Sequence, residues 1–154
     1  MFSQTAEYAL RAVVYLAERP GVRCPTKMIA EATQVPAGYL AKVMQSLARE
    51  GVVRGQRGLN GGFVLHHSPE DTTVLDVMNA VEPIRRIRRC PLNLPEHADA
   101  LCPLHQRLDD AAAAIEESFR RSTIAELMTE GTFGLVKKET RGMAGKTKGK
   151  GGAS

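Results

Sequence analysis

The side chains with the most chemical potential lie in one stretch, Cys90-Pro-Leu-Asn-Leu-Pro-Glu96-His97-Ala-Asp99-Ala-Leu-Cys102-Pro-Leu-His105. Thiolate is a soft, strongly donating ligand, imidazole suits zinc and iron, and carboxylate is harder. Three chemistries are open. A structural or regulatory zinc could use Cys90, Cys102, His105 and either His97 or Glu96. Cys90 and Cys102 could form a reversible disulfide, or the loop could carry no metal. Arg85, Arg86, Arg88 and Arg89 crowd up to Cys90, and positive charge beside a thiol favours the thiolate, hence metal binding or oxidation. The same arginines could touch phosphate or form a solvated run. Cys24 lies away from this loop, at the start of the second expected helix, and reads as a half-buried structural residue. Three cysteines cannot all pair within one chain, which argues against a secreted disulfide framework.

The loop, from Ile84 to Leu101, is interrupted by Pro91 and Pro95 and has no apolar period, so flanking helices must hold it. Long loops in small domains are usually functional or disordered. Upstream, Thr73-Val74-Leu75-Asp76 resembles a capping box opening a helix with Val74, Val77, Met78 and Val81 inward, stopped by Pro83. Downstream, a helix from Leu101 to about Arg121 spaces Leu101, Leu104, Leu108, Ala111 or Ala112, Ile115 and Phe119 by threes and fours, and would be roughly 30 Å long. That stripe is close to a heptad seam. It predicts packing against a second subunit, against the chain's own first helix, or both. Thr123-Ile124-Ala125-Glu126 is a second capping box opening a last short helix.

The first 65 residues predict a different kind of unit. Residues 3–18 place Tyr8, Ala9, Ala12, Val13, Leu16 and Ala17 at helical spacing. Pro25 to Thr33 makes a short helix with Met28, Ile29 and Ala32 inward. Pro36, as a first helical residue, opens a third, with Leu40, Val43, Met44 and Leu47 inward, Gly38, Tyr39, Lys42 and Gln45 outward, and Gly51 as C-terminal cap. Val52-Val53-Arg54, a glycine-rich turn from Arg57 to Gly62, and Phe63-Val64-Leu65 then read as a hairpin. Helix pair followed by hairpin is the order of a winged helix-turn-helix. Its alternative is a compact α+β domain without a nucleic-acid role. Charge favours DNA: residues 1–65 hold 8 Lys+Arg against 4 Asp+Glu, residues 66–136 hold 7 against 12, and residues 137–154 hold 6 against 1. A folded basic block is an electrostatic footprint for nucleic acid. The Gly-, Lys- and Ser-rich tail is expected to be disordered and solvated.

With 154 residues, 43% of them hydrophobic and 25% charged, the chain is sized for one core plus a modest appendage. The expected fold is mainly α with a small β-hairpin wing: a winged helix-turn-helix over residues 1–82, a cofactor or sensor loop over 83–101, a dimerisation helix and short C-terminal helix over 102–130, and a disordered basic tail over 137–154. No apolar stretch is long enough to span a bilayer, so no membrane partner and a cytoplasmic protein are expected. No nucleophile–base–orienter set, HExxH or phosphate-cradling glycine loop ahead of a helix appears, which argues against an enzyme.

Tyr39-Leu40, Leu47 through Val53, Arg57-Gly58 with Gly61-Gly62-Phe63-Val64-Leu65, and Leu75 through Glu82 resemble the IscR and NsrR type regulators, the Rrf-two family of bacterial winged-helix repressors. The resemblance covers about residues 1–130, and the RGLNGGFVL wing with the following AVE is its most specific part. It implies a homodimer joined by the long helix and bound to a palindromic operator in double-stranded DNA, with recognition helices about 34 Å apart. Tyr39 and Lys42 would face DNA from the recognition helix, and Arg57, Asn60 and Gly61 would form the wing, Gly61 and Gly62 mainly for shape. Gln34 stands where the family usually has Gly, and Pro36 where it often has Ser.

Iron-sulfur members of the family show three cysteines about five residues apart. Cys90 and Cys102 match the first and third, with Glu96 in the middle place. The resemblance implies a 2Fe-2S cluster held by Cys90 and Cys102, with two further ligands from His105, Glu96 and Glu7. Imidazole can replace thiolate on such an iron, and Glu7 matches an acidic position contributed by the partner subunit. Zinc, or no metal at all, is the alternative to the cluster.

Overall fold

The computed structural model describes residues 2–97 and 99–129. The first helix, α1 (Gln4–Ala17), starts where the Ser3 hydroxyl accepts from the Ala6 amide, satisfying one of the donors a helix start leaves open. Its buried arc is wider than the expected stripe. Ala9, Ala12, Val13, Leu16 and Ala17 are buried as the spacing predicts, and so are Ala6, Val14 and Tyr15, while Tyr8 is half-buried. A helix covered on so much of its circumference is central. Indeed α1 packs against α2 (Thr26–Thr33), α3 (Ala37–Arg49), α4 (Val74–Val81) and α6 (Ile124–Thr129).

Helices α2 and α3 each follow a proline. The carbonyls of Pro25 and Pro36 accept from the amides of Ile29 (3.1 Å) and Leu40 (2.9 Å). Pro36 is the residue before the helix rather than its first turn, a place where the missing N–H costs nothing because the helix does not use it. In α2, Ile29 is buried, but Met28 is exposed and Ala32 half-buried; Ala30 and Thr33 take the inward places. Thr33 can be buried because its hydroxyl donates to the Ile29 carbonyl at 2.7 Å. The turn between the helices is closed by Val35 N–H to the Ala30 carbonyl, with Gln34 left-handed at φ 59°. Helix α3 buries Leu40, Val43, Met44 and Leu47, and Gly51, at φ 76°, turns the chain out of it.

Strands β1 (Val53–Gln56) and β2 (Gly62–Leu65) form the antiparallel hairpin, with Val53 opposite Leu65 and Gln56 opposite Gly62. Phe63 also exchanges both backbone hydrogen bonds with Cys24, at 3.0 and 2.9 Å. Cys24 is therefore completely buried in a third rung beside the wing, not half-buried at a helix start. The strand passes so close that a Cβ on Gly62 would lie 2.6 Å from the Cys24 carbonyl carbon.

Both capping boxes form. Thr73 and Asp76 bond reciprocally at the start of α4, as do Thr123 and Glu126 at the start of α6. They sit side by side, with Val74 N–H donating to the Ser122 carbonyl and Ile124 N–H to the Thr72 carbonyl, both at 2.8 Å. These bonds pin the end of α5 (Pro103–Arg121) beside the start of α4. The long helix begins at Pro103 rather than Leu101, with Cys102 as its cap. Its apolar stripe divides. Phe119 packs beside Ala6, Val74 and Met78, whereas Leu104 and Leu108 are 63% and 51% exposed. The tail over 137–154 and residue 130 of the dimerisation segment lie outside the described residues.

Candidate nucleic-acid interface and sensor loop

Opposite its buried stripe, α3 presents Gly38, Tyr39, Lys42 and Gln45 to solvent. Tyr39 is held rather than loose. Its ring meets Tyr8 edge-on at 5.5 Å, and its hydroxyl is hydrogen-bonded to that of Thr5. Behind the turn, Arg11 donates to the Thr33 carbonyl at 3.3 Å and pairs with Glu7, so α1 grips the end of α2.

The wing tip has a fixed shape. Gly61 N–H donates to the Gly58 carbonyl at 2.9 Å, and a Cβ on Gly61 would lie 2.4 Å from the Gln56 carbonyl oxygen, so only glycine fits. Arg57, Leu59 and Asn60 project from this turn into solvent. A groove of about 1160 Å³ runs between α3 and the wing, lined by Gln45, Arg54, Gln56, Arg57 and Leu59 among others and by no carboxylate. Recognition helix and wing thus share one concave surface whose arginines, Arg54 and Arg57, come from the wing, while Tyr39, Lys42 and Asn60 lie outside its lining. Arg54, not among the residues expected to face DNA, is a surface cation that the alternation Val53-Arg54 in a half-covered strand points outward.

The loop after α4 is anchored by an ion pair that the sequence reading missed. Arg86 forks onto Asp109 through Nε and Nη2, both at 2.7 Å, and reaches Glu116 through Nη1 at 3.1 Å. The Ile87 amide also donates to Asp109 at 2.8 Å. Asp109, only 6% exposed, is the buried residue of α5. Hydrogen bonding to Arg86 is the main reason its carboxyl is held down to about 2, and such bidentate charge-assisted pairs are the strong ones. A periodicity search looks for apolar residues and so passes over a buried aspartate.

Cys90 is buried, and its thiol is lowered from the ordinary range chiefly by a hydrogen bond to the His97 imidazole, then by the Leu94 and Leu92 amides against the opposing effect of burial. The direction is the one expected from the sequence, but its cause is not the arginine cluster. Of the four arginines credited with it, Arg86 is committed to Asp109, and Arg85, Arg88 and Arg89 are exposed. Cys102 Sγ lies 3.3 Å from His105 Nδ1, bringing together two expected ligands at the start of α5. Glu96 is exposed in a single 3-10 turn, Pro95–His97, and Glu7 is exposed on α1 beside Arg11.

The donors suit a soft metal centre, but the thiol–imidazole contact of the loop joins Cys102 to His105, and the buried Nδ1 of His97 has no hydrogen-bond partner among the described residues. Among the described residues no three His, Cys, Asp or Glu side chains converge to hold a metal ion. The described residues of a single chain therefore present no closed metal site.

A helix-turn-helix whose second helix and adjoining hairpin form one basic concavity defines the winged helix-turn-helix class of DNA-binding proteins. Residues 2–130 match the family model Rrf2, described as an iron-dependent transcriptional regulator. The chain belongs to the Rrf2 family of transcriptional regulators, which is not a family of enzymes. It is 32% identical over 131 residues to an Aquifex aeolicus chain named as an HTH-type transcriptional regulator, covering 83% of this chain and 91% of that one. In fold it is similar to CymR, the global cysteine regulator of B. subtilis, with TM-score 0.68 and 23% identity over 84% of this chain and 97% of that one. It is equally similar to T. potens IscR, with TM-score 0.68 and 23% identity over 84% and 87% of the two chains. No helix among the described residues is long and apolar enough to cross a membrane.

Proposed function

We propose that the chain is a cytoplasmic, homodimeric repressor that binds a palindromic DNA site and reads thiol or metal status through its loop. The observation that carries this reading is the path from thiol to DNA-binding unit. Cys90 is a thiolate-favouring group four residues from Arg86, Arg86 is forked onto α5, and α5 ends pinned to the start of α4. A change at Cys90 or Cys102 bears on one continuous packed element, which can bias the relative placement of the two winged units of a dimer. In the complex, Tyr39 and Lys42 face the major groove, and Arg57 and Asn60 face the minor groove, where cations are favoured. Gly61 shapes the wing that carries them. The exposed Leu104 and Leu108 form the seam with the second subunit. Residues 1–82, 83–101 and 102–130 then act as reader, sensor and dimeriser.

The family's description as iron-dependent supports a finer form, a 2Fe-2S cluster on Cys90, Cys102 and His105, completed by Glu96 or by Glu7 of a second copy. When bound, such a cluster would supply a redox- and iron-responsive charge centre. Because no three donors converge among the described residues, the single chain favours a thiol switch instead, and a zinc site would likewise need ligands from a second copy. Visible absorption with iron, sulfide and zinc analysis on protein purified without oxygen separates these forms. Matched iron and sulfide, lost in Cys102→Ala, establishes the cluster; zinc or metal-free thiols establish the other forms. Retention on duplex DNA that falls steeply with salt tests the regulator itself, and its absence would refute it.

A further inference from the structure

Leu59 occupies the apex of the wing and is 106% exposed, more open than any other large apolar residue of the described chain. A lone exposed leucine is ordinary on a protein surface, but this one is presented by a rigid device. The Gly61–Gly58 hydrogen bond closes the turn beneath it, and the space at Gly61 admits no side chain. On either side stand an exposed cation, Arg57, and an exposed carboxamide, Asn60, and Arg57 and Leu59 border the basic groove shared with α3. Apolar tip, flanking cation and amide donor together match what the minor groove offers. It is narrow and electronegative, its floor at A·T pairs carries only acceptors, and its base steps can be opened by an inserted aliphatic wedge.

We propose that Leu59 is a minor-groove wedge. In the complex it presses between base pairs at the outer edge of each half-site and bends the duplex, and it disfavours G·C there because the guanine N2 amino group fills the floor it needs. The proposal rests on the wing lying in the minor groove, and the test separates the two. Full-length wild type, Leu59→Ala and Arg57→Ala are titrated against a duplex selected by the wild type from a random-sequence pool, and end-to-end energy transfer reports the bend.

Leu59→Ala should weaken binding by about ten-fold, the scale of one lost base-pair preference. It should leave the salt slope unchanged and straighten the DNA. Arg57→Ala should weaken binding with a salt slope smaller by about one. G·C at the wing step should weaken wild-type binding, inosine·cytosine, which lacks the N2 amino group, should restore it, and Leu59→Ala should not distinguish the two. If Leu59→Ala binds and bends like the wild type while Arg57→Ala is impaired, the wing reading stands and the wedge is refuted. If neither variant is impaired, the wing reading fails and the wedge with it. If Leu59→Ala abolishes self-association of the free protein and leaves bending intact, Leu59 serves a protein contact and the wedge is again refuted.

Discussion

Two residues, one with a left-handed backbone and one with a buried charge, carry separable consequences. Gln34 holds φ 59° at the end of α2, a region that costs a residue with a Cβ roughly 1–2 kcal/mol and that explains why the matching family position is usually glycine. Gln34→Gly should therefore stabilise the fold by about 0.5–1 kcal/mol, the strain relieved less the chain entropy that glycine adds, as checked by urea unfolding at constant m. Asp109 behaves in the opposite sense. Its carboxyl is held at about 2, below the 3.8 of a free side chain, so the folded state binds its proton less readily than the unfolded state does. The stability it contributes is present above about pH 4 and is lost as pH falls through about 2. Acid titration of the melting temperature should show that decline, and Asp109→Asn should melt several degrees lower at neutral pH and lose that part of the acid dependence.

At the scale of elements, the recognition unit was the most legible part of the chain. The α3 stripe, both capping boxes and the hairpin follow from local rules, since helix spacing, caps and tight turns are written within a few residues of one another. Met28 escaped because helix α2 is short, and in two turns a change of neighbour rotates the buried face. Cys24 escaped because its burial comes from pairing with Phe63, a partner remote in sequence. The Arg86–Asp109 fork was hidden for the same reason, and it changes the meaning of the arginine cluster, one member of which is an anchor. The wing tests whether these local rules carry function. Gly61→Ala should disrupt the turn, because the added carbon meets the Gln56 carbonyl oxygen. It should weaken DNA binding about ten-fold or more, the scale of one lost base-pair preference, while far-ultraviolet circular dichroism of the helical core stays unchanged.

Across the whole molecule, the question is how a loop carrying Cys90 and Cys102 speaks to a DNA-binding face. The chain's own packing covers only the C-terminal part of the α5 stripe and leaves Leu104 and Leu108 bare beside Cys102 and His105. The periodicity that predicted a seam could not say which half would be satisfied within one chain, because the sequence does not reveal where the helix crosses its neighbours. In the proposed dimer the bare half is the seam, which places the sensor next to the subunit interface. Changing both leucines to glutamine should shift sedimentation from dimer to monomer and weaken DNA binding, while the melting of each winged unit is retained.

The most direct test of the account is the affinity for the selected duplex measured on one preparation in two states. The protein would be taken as purified without oxygen, and again after oxidation of its thiols and removal of any bound metal, with Cys90→Ala and Cys102→Ala run in parallel. The account predicts an affinity change of about ten-fold or more in the wild type, within the usual range of coupling between two sites, and no change in either variant. Tight, salt-dependent binding that is identical in both states would contradict it, leaving a DNA-binding regulator whose loop senses nothing.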